Sequence, residues 1–187
     1  MTENFFSERF NTPTGWMHIV TDAEQKLRAA HWENNGQDKG DRMARLLRLQ
    51  YGEHGFQLDE ARSPSDARRA LEAYFAGQVA AIEAIRTLAR GTDFQLLVWA
   101  ALREIPAGGT LSYGELAAKI GRPAAVRAVG AANGANPIPV VVPCHRVIGA
   151  DASLTGFGGG LERKRWLLTH ERTHATLSVP YNLELRI

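Results

Sequence analysis

Cysteine is almost absent from this chain, with Cys144 the only one in 187 residues. A lone cysteine forms no internal disulfide and cannot build a thiolate-rich zinc site, so any sulfur chemistry must use a free thiol. Long apolar runs are also missing, which excludes a transmembrane helix. The opening MTENFFSERF carries acidic residues where a signal peptide needs a basic and then an apolar stretch, so a cytoplasmic location is expected. No charge of either sign dominates, and the formal net charge of +2 identifies no partner. Its distribution is uneven, with twelve basic against thirteen acidic residues through position 90 and nine against six from 91 to 172. The later part therefore leans weakly towards DNA. What is plentiful is core-forming material: 44% of the residues are hydrophobic, ample for a packed interior.

The pattern predicts two domains, 1–90 and 91–172, and a tail at 173–187. Residues 10–33 read as extended, with segments Trp16 to Thr21 and Leu27 to Trp32 joined by a polar turn, hence a hairpin. Asp41 to Tyr51 sets Met43, Leu46 and Leu47 at helical spacing. A further helix is expected from Ser63, with Pro64 at its first position and Gly77 as its stop. The first part is thus a mixed α and β unit.

Beyond Thr92 the character becomes helical. Phe94, Leu97, Val98, Ala101, Leu102 and Ile105 mark an amphipathic helix closed by Pro106. Ser112 and Glu115 form an S-x-x-E capping box before a short helix that Gly121 ends. Pro123 is read as opening another helix, to about Ala132, and two short helices around a glycine turn are the pattern of a helix-turn-helix. Val140 to Val142 read as a buried extended run that Pro143 stops at Cys144. A glycine loop at 156–160 precedes a last helix, Leu161 to Glu171, with a basic patch at Arg163, Lys164 and Arg165.

A thiolate attacks carbon readily but needs a lowered pKa or a neighbouring base to be populated. Residues alone leave Cys144 between an inert core thiol and a nucleophile; the flanking Pro143, His145 and Arg146 favour the nucleophile, and Pro143 supplies the bend that Cys-His contact requires. Arg127 stands with Ala124, Ala128 and Ala131 at shared-face spacing, a floor of small side chains suited to close approach to a nucleic-acid backbone, or simply a solvated helix face. The glycine loop lacks G-x-G-x-x-G spacing, so a dinucleotide site is rejected. His170-Glu-Arg-Thr-His174 matches H-E-x-x-H, the zinc-peptidase pattern. It lacks a third histidine and shares its helix with the basic patch, so no metal is expected and the two histidines read as a frayed, exposed helix end.

Taken together, Pro143-Cys-His-Arg-Val147 after an Asn-Pro and valine run, Ser112-Tyr113-Gly with its two helices, the glycine loop and Trp166-Leu-Leu-Thr-His-Glu171 resemble the O6-alkylguanine-DNA alkyltransferases. The resemblance runs from about Gly91 to Glu171, and more loosely through Thr12-Pro-Thr-Gly15 and Tyr74-Phe-Ala-Gly77. It implies an α+β protein, with a small sheet-containing N-terminal domain and a mainly helical C-terminal domain carrying a winged-helix-like helix-turn-helix. It implies stoichiometric transfer of an alkyl group from O6-alkylguanine, and from O4-alkylthymine, in double-stranded DNA, with no cofactor and no membrane. Cys144 would accept the group, His145 would deprotonate it through a water, and Glu171 would orient the imidazole. Tyr113 would donate to the leaving base, Asn136 would brace the strand carrying the cysteine, and Arg127, beside Ala128, would fill the space of the flipped nucleotide. Val147, Phe157, Gly158 and Gly159 would line the base pocket.

Two departures from the family pattern bear on the pocket. Phe157 stands where tyrosine is usual, and Gly158 where alanine or serine is common, which suggests a more open pocket and tolerance of bulkier alkyl groups. A monomer is expected.

Overall fold

A computed structural model of the protein describes residues 2–33, 41–52 and 55–175, and divides the chain into two compact units, Met1–Gly91 and Thr92–Ile187. It is an α+β protein, with a sheet in the first unit and mainly helices in the second. No helix among the described residues is long and apolar enough to cross a membrane.

The first unit is built on strands β1 (Glu3–Thr12), β2 (Gly15–Asp22), β3 (Leu27–Trp32) and β4 (Phe56–Glu60), in the order β3-β2-β1-β4. The expected hairpin is β2-β3, antiparallel across a turn in which Asp22 Oδ1 accepts from the amides of Glu24 and Lys26. β1 and β4 were not foreseen. β1 pairs antiparallel with β2 and parallel with β4. Helix α1 (Asp41–Tyr51) packs Met43, Leu47 and Tyr51 on Phe5, Val20 and Ala29 of the sheet. Helix α2 (Asp66–Phe75) begins later than Ser63. Ser65, whose hydroxyl accepts from the Arg68 amide, is its N-cap, and Pro64 lies outside the helix.

The second unit opens with α3 (Asp93–Arg103), held by a reciprocal Thr92–Gln95 capping box. β5 (Leu111–Ser112) leads directly into α4 (Tyr113–Lys119), where Ser112 and Glu115 make the expected box. Gly121 adopts φ 70, a left-handed conformation that favours glycine and lets the chain leave α4 abruptly. Helix α5 (Val126–Gly134) starts three residues after Pro123. Residues 123–125 form a turn, Ala125 donating to the Arg122 carbonyl, so Ala124 is not on the helical face with Arg127.

The run before Cys144 is buried, as expected, but not extended. Val140 has φ 75, and the Val142 amide donates to Ile138 O at 2.9 Å, so the valines form a turn in a segment whose Pro137 and Pro139 lack ladder donors. A single 3₁₀ turn, Cys144–Arg146, follows, then β6 (Val147–Ile148), which pairs parallel with β5. That two-residue ladder ties the start of α4 to the cysteine turn. The last helix, α6 (Leu161–His174), runs two residues past the expected tail boundary at 172. Residues 176–187, most of the expected tail, lie outside the described residues.

Candidate active site

Cys144 sits at the start of its 3₁₀ turn, 5% exposed. Pro143 before it has φ −81 and ψ 63, an inverse γ-turn closed by the Cys144 amide donating to Val142 O at 2.8 Å. Proline's fixed φ suits that geometry, and the turn lets Cys144 and His145 occupy one buried group. Asn136 braces a turn rather than the expected strand: its Nδ2 donates to Val142 O at 2.7 Å, and its Oδ1 accepts from the Ile138 amide at 3.0 Å. The Asn136 side chain also favours the ionised form of the Cys144 thiol.

His145 is fully buried, and its Nε2 lies 2.9 Å from Glu171 Oε1. Glu171, also 0% exposed, further accepts from Arg146 Nε at 2.9 Å and Nη2 at 2.7 Å, and from the Gly108 amide at 3.2 Å. Burial alone would raise this carboxyl's pKa. The paired His145 and Arg146 reverse that and hold it well below the ordinary carboxylate range, so Glu171 is ionised. An ionised carboxylate only accepts, so Nε2 of His145 must carry the hydrogen and Nδ1 the lone pair. Nδ1 is buried, with no hydrogen-bond partner among the described residues. Burial, opposed by Glu171, lowers the pKa of His145 and keeps the imidazole neutral. Burial likewise pushes the Cys144 thiol up to about 11, against the pull of Asn136, Lys164 and backbone amides, so the resting sulfur is protonated.

The basic patch expected at 163–165 is corrected by Lys164, which is 0% exposed. Its Nζ donates to Val147 O and Thr155 O, both at 2.6 Å, and burial lowers its pKa to about 8. It thereby clips the start of the glycine loop to the strand after the cysteine. Three supporting residues escaped the sequence reading: Lys164, Asn133, whose Nδ2 donates to Cys144 O at 3.4 Å, and Gly108. Lys164 left a signal: Lys164, Leu167, Leu168 and Glu171 recur at i, i+3, i+4 and i+7, the buried stripe of α6.

Tyr113, the first residue of α4, is half-buried. Its hydroxyl is 3.5 Å from where a Cβ on Gly156 would stand, so it reaches the glycine loop. Phe157 is half-buried with its ring 6.4 Å from that of His145, edge to face. A Cβ on Gly158 would meet nothing within 4 Å. Gly159 O accepts from Arg163 Nη1 at 2.9 Å. Val147 is buried in β6. The structure thus groups Cys144, His145, Glu171 and Asn136, and brings Tyr113 and Phe157 to the same loop. Arg127 and Ala128 lie apart from that buried group, exposed on the first turn of α5.

The H-E-x-x-H segment is an exposed helix end only in its second half, where His174, the last residue of α6, is exposed. It lies within α6, His170 is buried and stacks on Trp166 at 4.6 Å, and Glu171 is turned inward to His145 and Arg146. Among the described residues, no three or more His, Cys, Asp or Glu side chains are grouped to hold a metal.

Comparison with known proteins places this geometry. The model of the 6-O-methylguanine DNA methyltransferase DNA-binding domain matches residues 93–173. The methylated-DNA–protein-cysteine methyltransferase of Salmonella typhimurium is 50% identical over 164 residues, spanning 88% of this chain and 94% of that one. The crystal structure of Mycobacterium tuberculosis O6-methylguanine methyltransferase superposes with a TM-score of 0.73 at 38% identity, covering 91% of this chain and 94% of that one. The M. tuberculosis protein in complex with DNA does so with a TM-score of 0.71 at 38% identity, covering 92% and 94%. The chain, matched along most of its length, belongs to the methylated-DNA–protein-cysteine methyltransferase family.

Proposed function

We propose that this protein repairs alkylated double-stranded DNA by direct reversal, moving the alkyl group from O6 of guanine, or O4 of thymine, onto Cys144. The observation that carries the reading is the buried Glu171–His145 hydrogen bond of 2.9 Å, which leaves the Nδ1 lone pair as an unused base in the same buried group as a protonated thiol.

The chemistry follows from those groups. A carbon on guanine O6 is hidden in the duplex, so the nucleotide must first leave the stack, at a cost of a few kcal/mol. Arg127 and Ala128, exposed on α5, meet the DNA and fill the space the nucleotide leaves. His145 takes the thiol proton through one water, and Glu171 stabilises the imidazolium. Sulfur attacks the alkyl carbon; the S–C bond forms, the C–O6 bond breaks, and its electron pair returns to the base. Tyr113, reaching the loop that carries Phe157, Gly158 and Gly159, donates a hydrogen bond to the base as that charge develops. Val147 lines the pocket, and Asn136 holds the cysteine turn. No residue of the site hydrolyses a thioether, so each protein molecule acts once.

Mass measurement tests this directly. The protein is mixed with a duplex containing O6-methylguanine, alongside Cys144→Ala. One methyl gained on the Cys144 peptide, limited to one per protein molecule, is expected. Tight binding to the lesion without mass gain would refute the transfer and leave a damage-recognition protein.

A further inference from the structure

Arg146 has no task in that sequence of steps, yet it is 5% exposed and fully engaged. Its Nη1 donates to Ile105 O, just beyond α3, while Nε and Nη2 fork onto Glu171 of α6. The fork makes Oε1 of Glu171 a shared acceptor, receiving Arg146 Nη2 at 2.7 Å and His145 Nε2 at 2.9 Å. A carboxylate paired with an imidazole alone strengthens it as a base, because the imidazolium then gains a full ion pair. A permanently charged guanidinium on the same oxygen competes for that charge.

The groups facing His145 are Glu171 and Lys164 from α6, Arg146 and Cys144 from its own turn, and the edge-on ring of Phe157 from the glycine loop. Glu171 is the single anion among them, and Arg146 and Lys164 both oppose a third positive charge. We propose that Arg146 is a positioning residue for alkyl transfer: by sharing Oε1 of Glu171, it keeps His145 a neutral base of moderated strength, with its Nδ1 open to the thiol proton. Without the guanidinium, the whole carboxylate charge falls on His145. The imidazole then holds a proton on Nδ1 at rest to higher pH and cannot accept the one from Cys144. Lysine keeps the charge but cannot fork, so it replaces Arg146 only in part.

This rests on the reading that His145 is the base for Cys144, and the test separates the two. The imidazole of His145 is titrated by NMR through its ring nitrogens in the free wild-type protein, Arg146→Gln and Arg146→Lys, and the pH dependence of Cys144 alkylation by iodoacetamide is followed by mass. The wild type is expected to show a neutral, Nε2-protonated ring at neutral pH. In Arg146→Gln the midpoint and the acidic limb of alkylation both move up by about one pH unit, and in Arg146→Lys by less. A cationic wild-type ring at neutral pH, or an unmoved midpoint in folded variants, overturns the proposal. If Arg146→Gln does not fold, Arg146→Lys and the wild-type titration decide it. A moved midpoint in a protein that takes no methyl from O6-methylguanine DNA would sink the repair reading, and with it the link to alkyl transfer, while the tuning of His145 by Arg146 would stand.

Discussion

Replacing Glu171 by Gln removes one negative charge while changing almost no volume, so its consequences isolate the electrostatics of the site. The carboxylate is 0% exposed and accepts hydrogen bonds from His145, from the Gly108 amide and, twice, from a guanidinium whose side chain is 6% exposed. Neutralising it leaves the Arg146 charge buried and uncompensated, which typically costs about 3–5 kcal/mol. For a chain of this size each kcal/mol lowers the melting temperature by about 2–4 °C, so Glu171→Gln should melt roughly 6–20 °C below wild type. Adding Arg146→Met removes both charges and should restore part of that loss.

The pH dependence carries a definite sign. The folded pKa of Glu171 lies below the ordinary 4.5, so its stabilisation is fully present above that value and is lost as pH falls through the folded one. The gap between wild type and Glu171→Gln should therefore stay constant from neutrality down towards 4.5 and close on further acidification. Alkyl transfer should fall roughly 10²–10⁴-fold, because the amide can present its NH₂ to Nε2 and select the wrong tautomer. The assay is thermal denaturation across pH, with single-turnover transfer at neutral pH. A Glu171→Gln midpoint within about 2 °C of wild type, or a gap that widens in acid, would refute the reasoning.

Other expectations follow from the same geometry. Lys164 has a folded pKa of about 8 against 10.5, so the unfolded chain binds more protons between those values and stability rises with pH across that window; Lys164→Met should abolish the rise in thermal denaturation. Gly158→Ala meets no atom within 4 Å, so it should leave the melting temperature unchanged or slightly higher, while slowing benzyl transfer relative to methyl if the open position admits bulk. Arg127→Ala, at an exposed position, should alter stability by less than about 0.5 kcal/mol. Its transfer rate should fall on duplex substrate but not on the free alkylated base, and an equal loss on both would remove Arg127 from the flipping step. Ser112→Ala should cost about 1 kcal/mol by opening the capping box that starts α4 at Tyr113, read as a drop in the denaturant midpoint.

The sequence by itself determined what is local. Hydrophobic spacing marked α1 and α3, the Ser112–Glu115 pair marked the start of α4, and the β2-β3 hairpin was legible because its turn chemistry is carried by adjacent residues. Around Cys144 the residues alone left an inert core thiol and a nucleophile both open, with Pro143, His145 and Arg146 favouring the nucleophile, and the family resemblance supplied the proposed chemistry. Tertiary structure decided what depends on partners distant in the chain. β1 acquires its identity by pairing with β2 and β4, and β4 by pairing with β1, and no local signal contains that ladder. Val140 to Val142 are as apolar as a strand, but with prolines at 137 and 139 before them the chain turns instead. Lys164 reads as a surface cation until the fold supplies the Val147 and Thr155 carbonyls that hold it in the interior. The resemblance already set Glu171 against the His145 imidazole, rather than in the zinc-peptidase pattern its neighbours spell, but not against Arg146 or the Gly108 amide. Those further partners come only with the fold, because a buried carboxylate settles where cations and donors from distant parts of the chain converge.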